Sequence, residues 1–344
     1  MSAAADYRVR AMRDGDLGDF RALRDLAGAG FTSLALDDDT LARRLAVSAE
    51  SFAADVRAPG RERYLLALEH IESGRVVGVA GVKACVGDTP PFFNFRVLQI
   101  AQASAAAQRR FDLEVLILVN EFTRCSEVGS LFVRKEHRAG GAGRLLAQAR
   151  YMLIASARER FADTVVAELR GVVDADGRSP FWEHLGRHFF RMSFQEADRL
   201  SASTDNQFIL DLMPKYPIYV DLLPDAARAV IGRCHAEGEP ALRMLQAEGF
   251  RHDRVVDIFD AGPLVSCARD TIRTVRDSRA CRLRIGDVSA APRALIAAGA
   301  GAEFVCVSAA SAAHEDEAIV SAATARALGV GDGAQILAWT ADAA

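Results

Sequence analysis

The stretch Gly129-Ser-Leu-Phe-Val133, Arg134-Lys-Glu-His-Arg138, Ala139-Gly-Gly-Ala-Gly143, Arg144-Leu-Leu-Ala-Gln-Ala-Arg150 decides how this chain folds. Its first five residues are short and apolar between polar flanks, the signature of a buried strand. The glycine-rich segment then breaks the pattern. A long amphipathic run to about Phe161 follows, with Leu145, Ala149, Met152 and Leu153 at three- and four-residue spacing. Strand, glycine turn and helix in that order expose backbone N–H groups at the positive end of a helix dipole, where a phosphate or pyrophosphate is well placed. The alternative is a purely structural left-handed turn between strand and helix.

Outward from this unit, Tyr7–Ala11 reads as a first strand, and a helical pattern carries Leu17, Phe20, Leu23 and Leu26. Thr40–Val47 is a second helix, opened by Asp37-Asp38-Asp39. Tyr64–Glu69 and Val76–Val82, joined through Ser73-Gly74, read as a β-hairpin, and Pro90–Arg96 interrupts the pattern. Downstream, Thr164–Leu169 is a strand and Ser179-Pro180 caps a helix containing Phe181, Trp182 and Leu185. Pro240–Ala247 is helical, ended by Gly249, and Arg254–Phe259 returns as a strand. After about Arg279, short apolar runs (Phe304–Val307, Ala318–Val320, Gln335–Trp339) alternate with turns such as 329–333, which predicts a small β-rich appendage.

The chain has 344 residues, 50% hydrophobic and 26% charged, with a formal net charge of −4. That length exceeds what one core usually serves. The chain pass divides it into a body over residues 1–279 and a β-rich subdomain over 280–344. Forty-two Lys and Arg against 46 Asp and Glu leave no basic excess, which argues against nucleic acid as a partner. No secretory signal or membrane span is legible, so the cytoplasm is the expected compartment. The six cysteines (85, 125, 234, 267, 281 and 306) are scattered without close ligand spacing, so they read as reduced thiols and no metal is expected.

The glycine segment lacks the Gly-Lys-Ser/Thr of a P-loop and the strict spacing of a dinucleotide fold. Arg138-Ala-Gly-Gly-Ala-Gly143 resembles the coenzyme A pyrophosphate loop of the GNAT superfamily of N-acetyltransferases, read as Arg/Gln-x-x-Gly-x-Gly/Ala. The longer strings SPFWEHLGRHFF (179–190), LMPKYPIY (212–219) and VDIFDAGP (256–263) are far more specific, and together the chain strongly resembles the arginine N-succinyltransferase family. The resemblance runs from about Tyr7 to Arg279 and is densest between Ser130 and Pro263.

It implies an α+β fold with a GNAT-like mixed sheet flanked by helices. It implies transfer of the succinyl group of succinyl-CoA to the α-amine of L-arginine, with ornithine as a second acceptor, and the intact loop resembles the catalytically equipped, beta-like subunit. On that basis Leu131, Phe132 and Val133 bind coenzyme A through the main chain, while Gly140, Gly141, Gly143, Arg138 and Arg144 hold its pyrophosphate. His235, in IGRCHAEGEPA, takes the place of the family's proton donor, although relatives carry His-Pro where this chain has His235-Ala236. A homo- or hetero-oligomer with a paralogous subunit is implied, as is the alternative of a partner subunit without activity of its own.

Chemistry adds the remaining candidates. Asp257 and Asp260 could pair bidentately with a guanidinium, or Asp260 could simply form a turn. Direct transfer to an amine needs no covalent intermediate, so Cys234 is incidental. His184 and His188 lie four apart on one expected helix, with no third ligand, and read as partly exposed helix residues. Thr32 and Ser33 are polar residues near the expected acceptor cleft.

Overall fold

The computed structural model describes residues 6–27, 34, 36–203, 207–314 and 316–340. Thr32 and Ser33 lie outside the described residues. The chain divides into two compact units, one of residues 1–85, 126–163 and 268–344 and the other of residues 86–125 and 164–267. The fold is α+β, with a mixed sheet flanked by helices.

In the first unit, Tyr7–Ala11 pairs antiparallel with Arg63–His70, which forms the expected hairpin with Arg75–Lys83. Arg75–Lys83 in turn pairs antiparallel with Ser126–Val133. Helices Leu17–Ala27 and Asp38–Ala53 bury Phe20, Leu23, Leu41 and Leu45 against Val79 and Phe132. These apolar residues recur at three- and four-residue spacing, which is why one stripe of each helix is buried. The helix after the glycine turn runs Ala142–Ser156, and its last predicted turn is instead a 3₁₀ turn at Arg158–Arg160.

The C-terminal residues are β-rich as expected and have their own apolar cluster, including Leu283, Ile296, Val307 and Val320. Strand Arg293–Ala298 pairs with both Val305–His314 and Gln335–Thr340, so these strands close on themselves together with Arg279–Ile285 and Glu317–Val320. Val305–His314 also pairs antiparallel with Tyr7–Ala11, which ties the tail to the first strand of the body. Residues 268–344 therefore share a compact unit with the N-terminal strands.

In the second unit the strand order is Thr164–Glu168, Pro263–Ala268, Arg251–Asp257, Asn94–Ser104, Arg109–Val119, Ile218–Tyr219. The eleven-residue pair Asn94–Ser104 and Arg109–Val119 is missing from the sequence reading. Both faces of its distal half are exposed, so no inside–outside alternation announces it. The expected strand 254–259 is shifted to Arg251–Asp257, which leaves Phe259 and Asp260 in the following turn. The helix after Ser179 is two short ones, Pro180–His184 and Gly186–Phe190, broken at Leu185 (φ −130°, ψ −74°). Gly186 has no room for a side chain beside the Trp182 ring. Trp182, Phe181, Phe95 and Ile258 form the centre of this unit's core.

Candidate active site

The predicted coenzyme A residues all lie in the first unit. Across the pair of strands Arg75–Lys83 and Ser126–Val133, Val79 faces Phe132 and Gly81 faces Gly129, so Ala80 alone opposes Ser130 and Leu131. This is a β-bulge. Ser130 takes φ 52°, and the local break in the ladder leaves main-chain groups near Leu131 without their regular partner on that neighbouring strand.

The strand then enters the glycine turn. Gly140 and Gly141 adopt φ 74° and 88°, a left-handed conformation that side chains disfavour. Gly141 caps the helix Ala142–Ser156, and among the described residues this terminus has no side-chain cap hydrogen bond. Gly143 is different. It lies inside the helix, and a Cβ there would meet nothing within 4 Å. Neither backbone conformation nor packing requires glycine at 143, whereas a ligand lying against the helix terminus would. Arg138 is anchored by donating Nε–H to the Val133 carbonyl (2.9 Å), with its guanidinium 5.8 Å from the Phe132 ring centre. Arg144 is exposed and, among the described residues, has no ion-pair partner.

His235, Asp257 and Asp260 lie in the second unit, and there the structure brings them together. The segment 168–171 is the common element. The His235 N–H donates to the Arg170 carbonyl (2.8 Å), and Gly171 bridges to Cys234. The Gly171 N–H donates to Asp260 Oδ2 (2.7 Å), and the Gly262 N–H to Asp260 Oδ1 (2.8 Å). Both oxygens of Asp260 are thus held by backbone donors, as in the turn-forming role open to it. Asp257 Oδ1 accepts from the Phe259 and Asp260 N–H groups (2.7 and 2.8 Å), and its carboxyl also hydrogen-bonds the side chains of Asp260 and Glu168.

Burial drives the Asp257 carboxyl up from the usual carboxylate range. Burial and the neighbouring Asp257 charge push Asp260 up to about 8. Two carboxyls in contact in a low-dielectric site cannot both ionise cheaply, so the pair retains a proton near neutral pH.

His235 caps the 3₁₀ turn Ala236–Gly238, its Nδ1 accepting the Glu237 N–H at 3.2 Å. That contact places the neutral ring's proton on Nε2. Gly238 is required because a Cβ would stand 2.6 Å from the Cys234 sulfur. Cys234 is half-buried, and burial, with Glu239 and Asp260 nearby, pushes its thiol up to about 11. It stays protonated at neutral pH and is a poor nucleophile. His184 and His188 are exposed on the two short helices.

Sequence reasoning missed two residues of this cluster. Glu168 ends the strand Thr164–Glu168 with its side chain exposed, and Asn94 pairs directly across from Asp257. Neither sits in a motif; contact and strand register reveal them. Among the described residues no group of three or more His, Cys, Asp or Glu side chains is placed to hold a metal ion.

The model of the family described as arginine N-succinyltransferase beta subunit matches residues 7–274, and that of its C-terminal domain matches residues 279–340. The arginine N-succinyltransferase subunit beta of Pseudomonas aeruginosa is 41% identical over 278 residues, 81% of each chain. The arginine N-succinyltransferase of Yersinia enterocolitica is 40% identical over 285 residues, 83% of this chain and 82% of its own. The solved structure of arginine/ornithine succinyltransferase subunit AI from Pseudomonas aeruginosa superposes with a TM-score of 0.88 at 33% identity, covering 98% of this chain and 99% of that one. Matched over this span and at this identity, the chain belongs to the arginine N-succinyltransferase beta-subunit family.

Proposed function

We propose that this chain transfers the succinyl group of succinyl-CoA to the α-amine of L-arginine, releasing N2-succinyl-L-arginine and CoA in arginine catabolism. The observation that carries this reading is the intact Arg138-Ala-Gly-Gly-Ala-Gly143 loop, with its unencumbered helix terminus, on a chain matched by this family over residues 7–274.

The chemistry assigns the roles. Gly140, Gly141 and Gly143 bring backbone N–H groups to the CoA pyrophosphate, and Arg138 and Arg144 add charge. Leu131, Phe132 and Val133 bind the pantetheine and acyl thioester through the main chain, with the bulge at Leu131 offering an N–H to the oxyanion. The α-ammonium first loses a proton, because only the free amine attacks. The amine adds to the thioester carbonyl, the tetrahedral intermediate collapses, and the C–S bond breaks. His235 takes up the proton that the attacking amine sheds, and the imidazolium so formed protonates the departing thiolate through Nε2–H, so the amide and the free thiol leave with the ring neutral again. Asp257 and Asp260 place negative charge beside the cationic acceptor. The body over residues 1–279 carries the chemistry and the tail over 280–344 supports it. The cytoplasm is the compartment in which this reading places the reaction.

The purified chain, assayed for thiol release, is expected to require both succinyl-CoA and arginine. His235→Ala is expected to lower kcat about 10²- to 10⁴-fold, the range for a proton-transferring side chain, with KM for succinyl-CoA little changed. Near-wild-type turnover in that variant would remove His235 from the mechanism. The name of the solved relative, which couples arginine with ornithine, supports ornithine as the alternative acceptor. Activity that appears only after a paralogous subunit is added would instead support an obligate hetero-oligomer.

A further inference from the structure

The carboxyl cluster of the second unit contains an anomaly. Asn94 is fully buried, yet among the described residues neither its amide oxygen nor its amide nitrogen has a hydrogen-bond partner. A buried, unpaired amide is costly, because it gives up its bonds to water for nothing, so a native fold keeps one only where something else satisfies it. Asn94 lies directly opposite Asp257 in the antiparallel pairing of Asn94–Ser104 with Arg251–Asp257, and directly opposed residues share one face of the sheet. Asp257 in turn touches Glu168, whose side chain is exposed. Two residues further along the chain, Arg170 is partly exposed and has no ion-pair partner among the described residues. Its carbonyl holds the His235 N–H.

We propose that these residues seat the α-amino acid head group of the acceptor: Glu168 and Asp257 receive the α-ammonium, and the Asn94 amide together with Arg170 receives the α-carboxylate. This deepens the reading of the protein as an amine acyltransferase and rests on it. The head group needs both signs of partner, and the cluster supplies both within one unit. An amide offers a donor to the carboxylate and an acceptor to the ammonium, which accounts for both orphaned atoms of Asn94 at once. The carboxylates alone would suit any cation. The amide and the unpaired guanidinium make the site selective for an amine that carries a carboxylate on the same carbon. The backbone tie from Arg170 to His235 then brings the amine that reacts to the residue that donates the proton. On this assignment the cluster distinguishes the α-amine from other amines of the substrate, and the guanidinium lies elsewhere.

The test uses the full chain and two matched pairs of acceptors, each an amino acid and its decarboxylated amine: arginine with agmatine, and ornithine with putrescine. Wild type is expected to prefer the amino acid in kcat/KM by at least about 100-fold. Asn94→Leu, an apolar near-isostere, is expected to raise KM for the amino acid at least about 10-fold and to shrink that preference by a similar factor, while KM for succinyl-CoA stays within twofold. Its Tm is expected to be equal to or above that of wild type, because an unpaired buried amide has been removed. A purely structural Asn94 predicts the reverse, a lowered Tm with the preference intact, and that result would overturn the proposal. Arg170→Gln retains the carbonyl that holds His235 and is expected to reduce the same preference; if Asn94→Leu fails to fold, this variant decides. Should wild type discriminate within the ornithine pair but ignore arginine, the choice of arginine fails while the head-group site stands. Should both variants discriminate as wild type does in the active pair, the site fails while the acyltransferase reading stands.

Discussion

Glycine at 143 separates two explanations that a glycine-rich loop usually blurs. Gly140 and Gly141 are required by their positive φ, so their presence says as much about the turn as about any ligand. Gly143 has helical neighbours and open space around its missing Cβ, and on stability grounds alanine is the better residue there by roughly 0.5–1 kcal/mol. Gly143→Ala is therefore expected to leave Tm unchanged or higher and to raise KM for succinyl-CoA about 10-fold, measured by thermal denaturation and initial rates. A loss of stability with unchanged KM would return the loop to a purely structural role. The glycine run was legible as a candidate phosphate seat because it falls between a short apolar strand and an amphipathic helix. Asn94 was not legible, because an asparagine among Pro90–Arg96 carries no signal until strand register sets it opposite Asp257 and burial strips it of water.

The elements follow the same division. Helices Leu17–Ala27 and Asp38–Ala53 were readable from their apolar stripes, and the second also from its acidic start. That start works as a cap: Asp37 Oδ1 accepts the Thr40 N–H at 2.7 Å, and Oδ2 accepts the Thr40 hydroxyl at 3.0 Å. Asp37→Ala is expected to lower the midpoint of denaturant unfolding, through loss of the cap, with no effect on KM for either substrate. The strand pair Asn94–Ser104 and Arg109–Val119 was not readable, for the opposite reason. Its proximal residues Phe95, Val97 and Leu116 are core, but Leu98 and Phe111 are 39% and 49% exposed, so apolar residues sit on both sides of the burial boundary. Hydrophobic periodicity reports burial contrast, and this pair offers little of it.

At the scale of the whole molecule, stability is linked to the proton retained by Asp257 and Asp260. Their folded-state pKa is displaced upward, for Asp260 to about 8, whereas an unfolded aspartate titrates at about 4. The folded state therefore binds the proton more tightly. The associated stability is complete below about pH 4 and is lost as pH rises through about 8. Asp16 has the opposite sign. Burial works to raise its carboxyl, but the Arg10 hydrogen bonds at 2.7 and 2.9 Å outweigh that and hold it below the usual range, so its contribution is lost in acid. Tm is expected to fall between pH 7 and pH 9, and Asp260→Asn to flatten that slope; an unchanged slope would mean that the pair does not hold its proton in solution.

The pairing of Tyr7–Ala11 with Val305–His314 has a consequence for biosynthesis. Arg8 meets Val307, so a strand made early in this span waits for one made far later along the chain. Until then its outer edge stays open, and nascent chains crowded on one message could pair through it. Such a long-range contact places the closing step of the first unit after Val305–His314 has been made, and makes that step slow relative to formation of the local hairpin beside it.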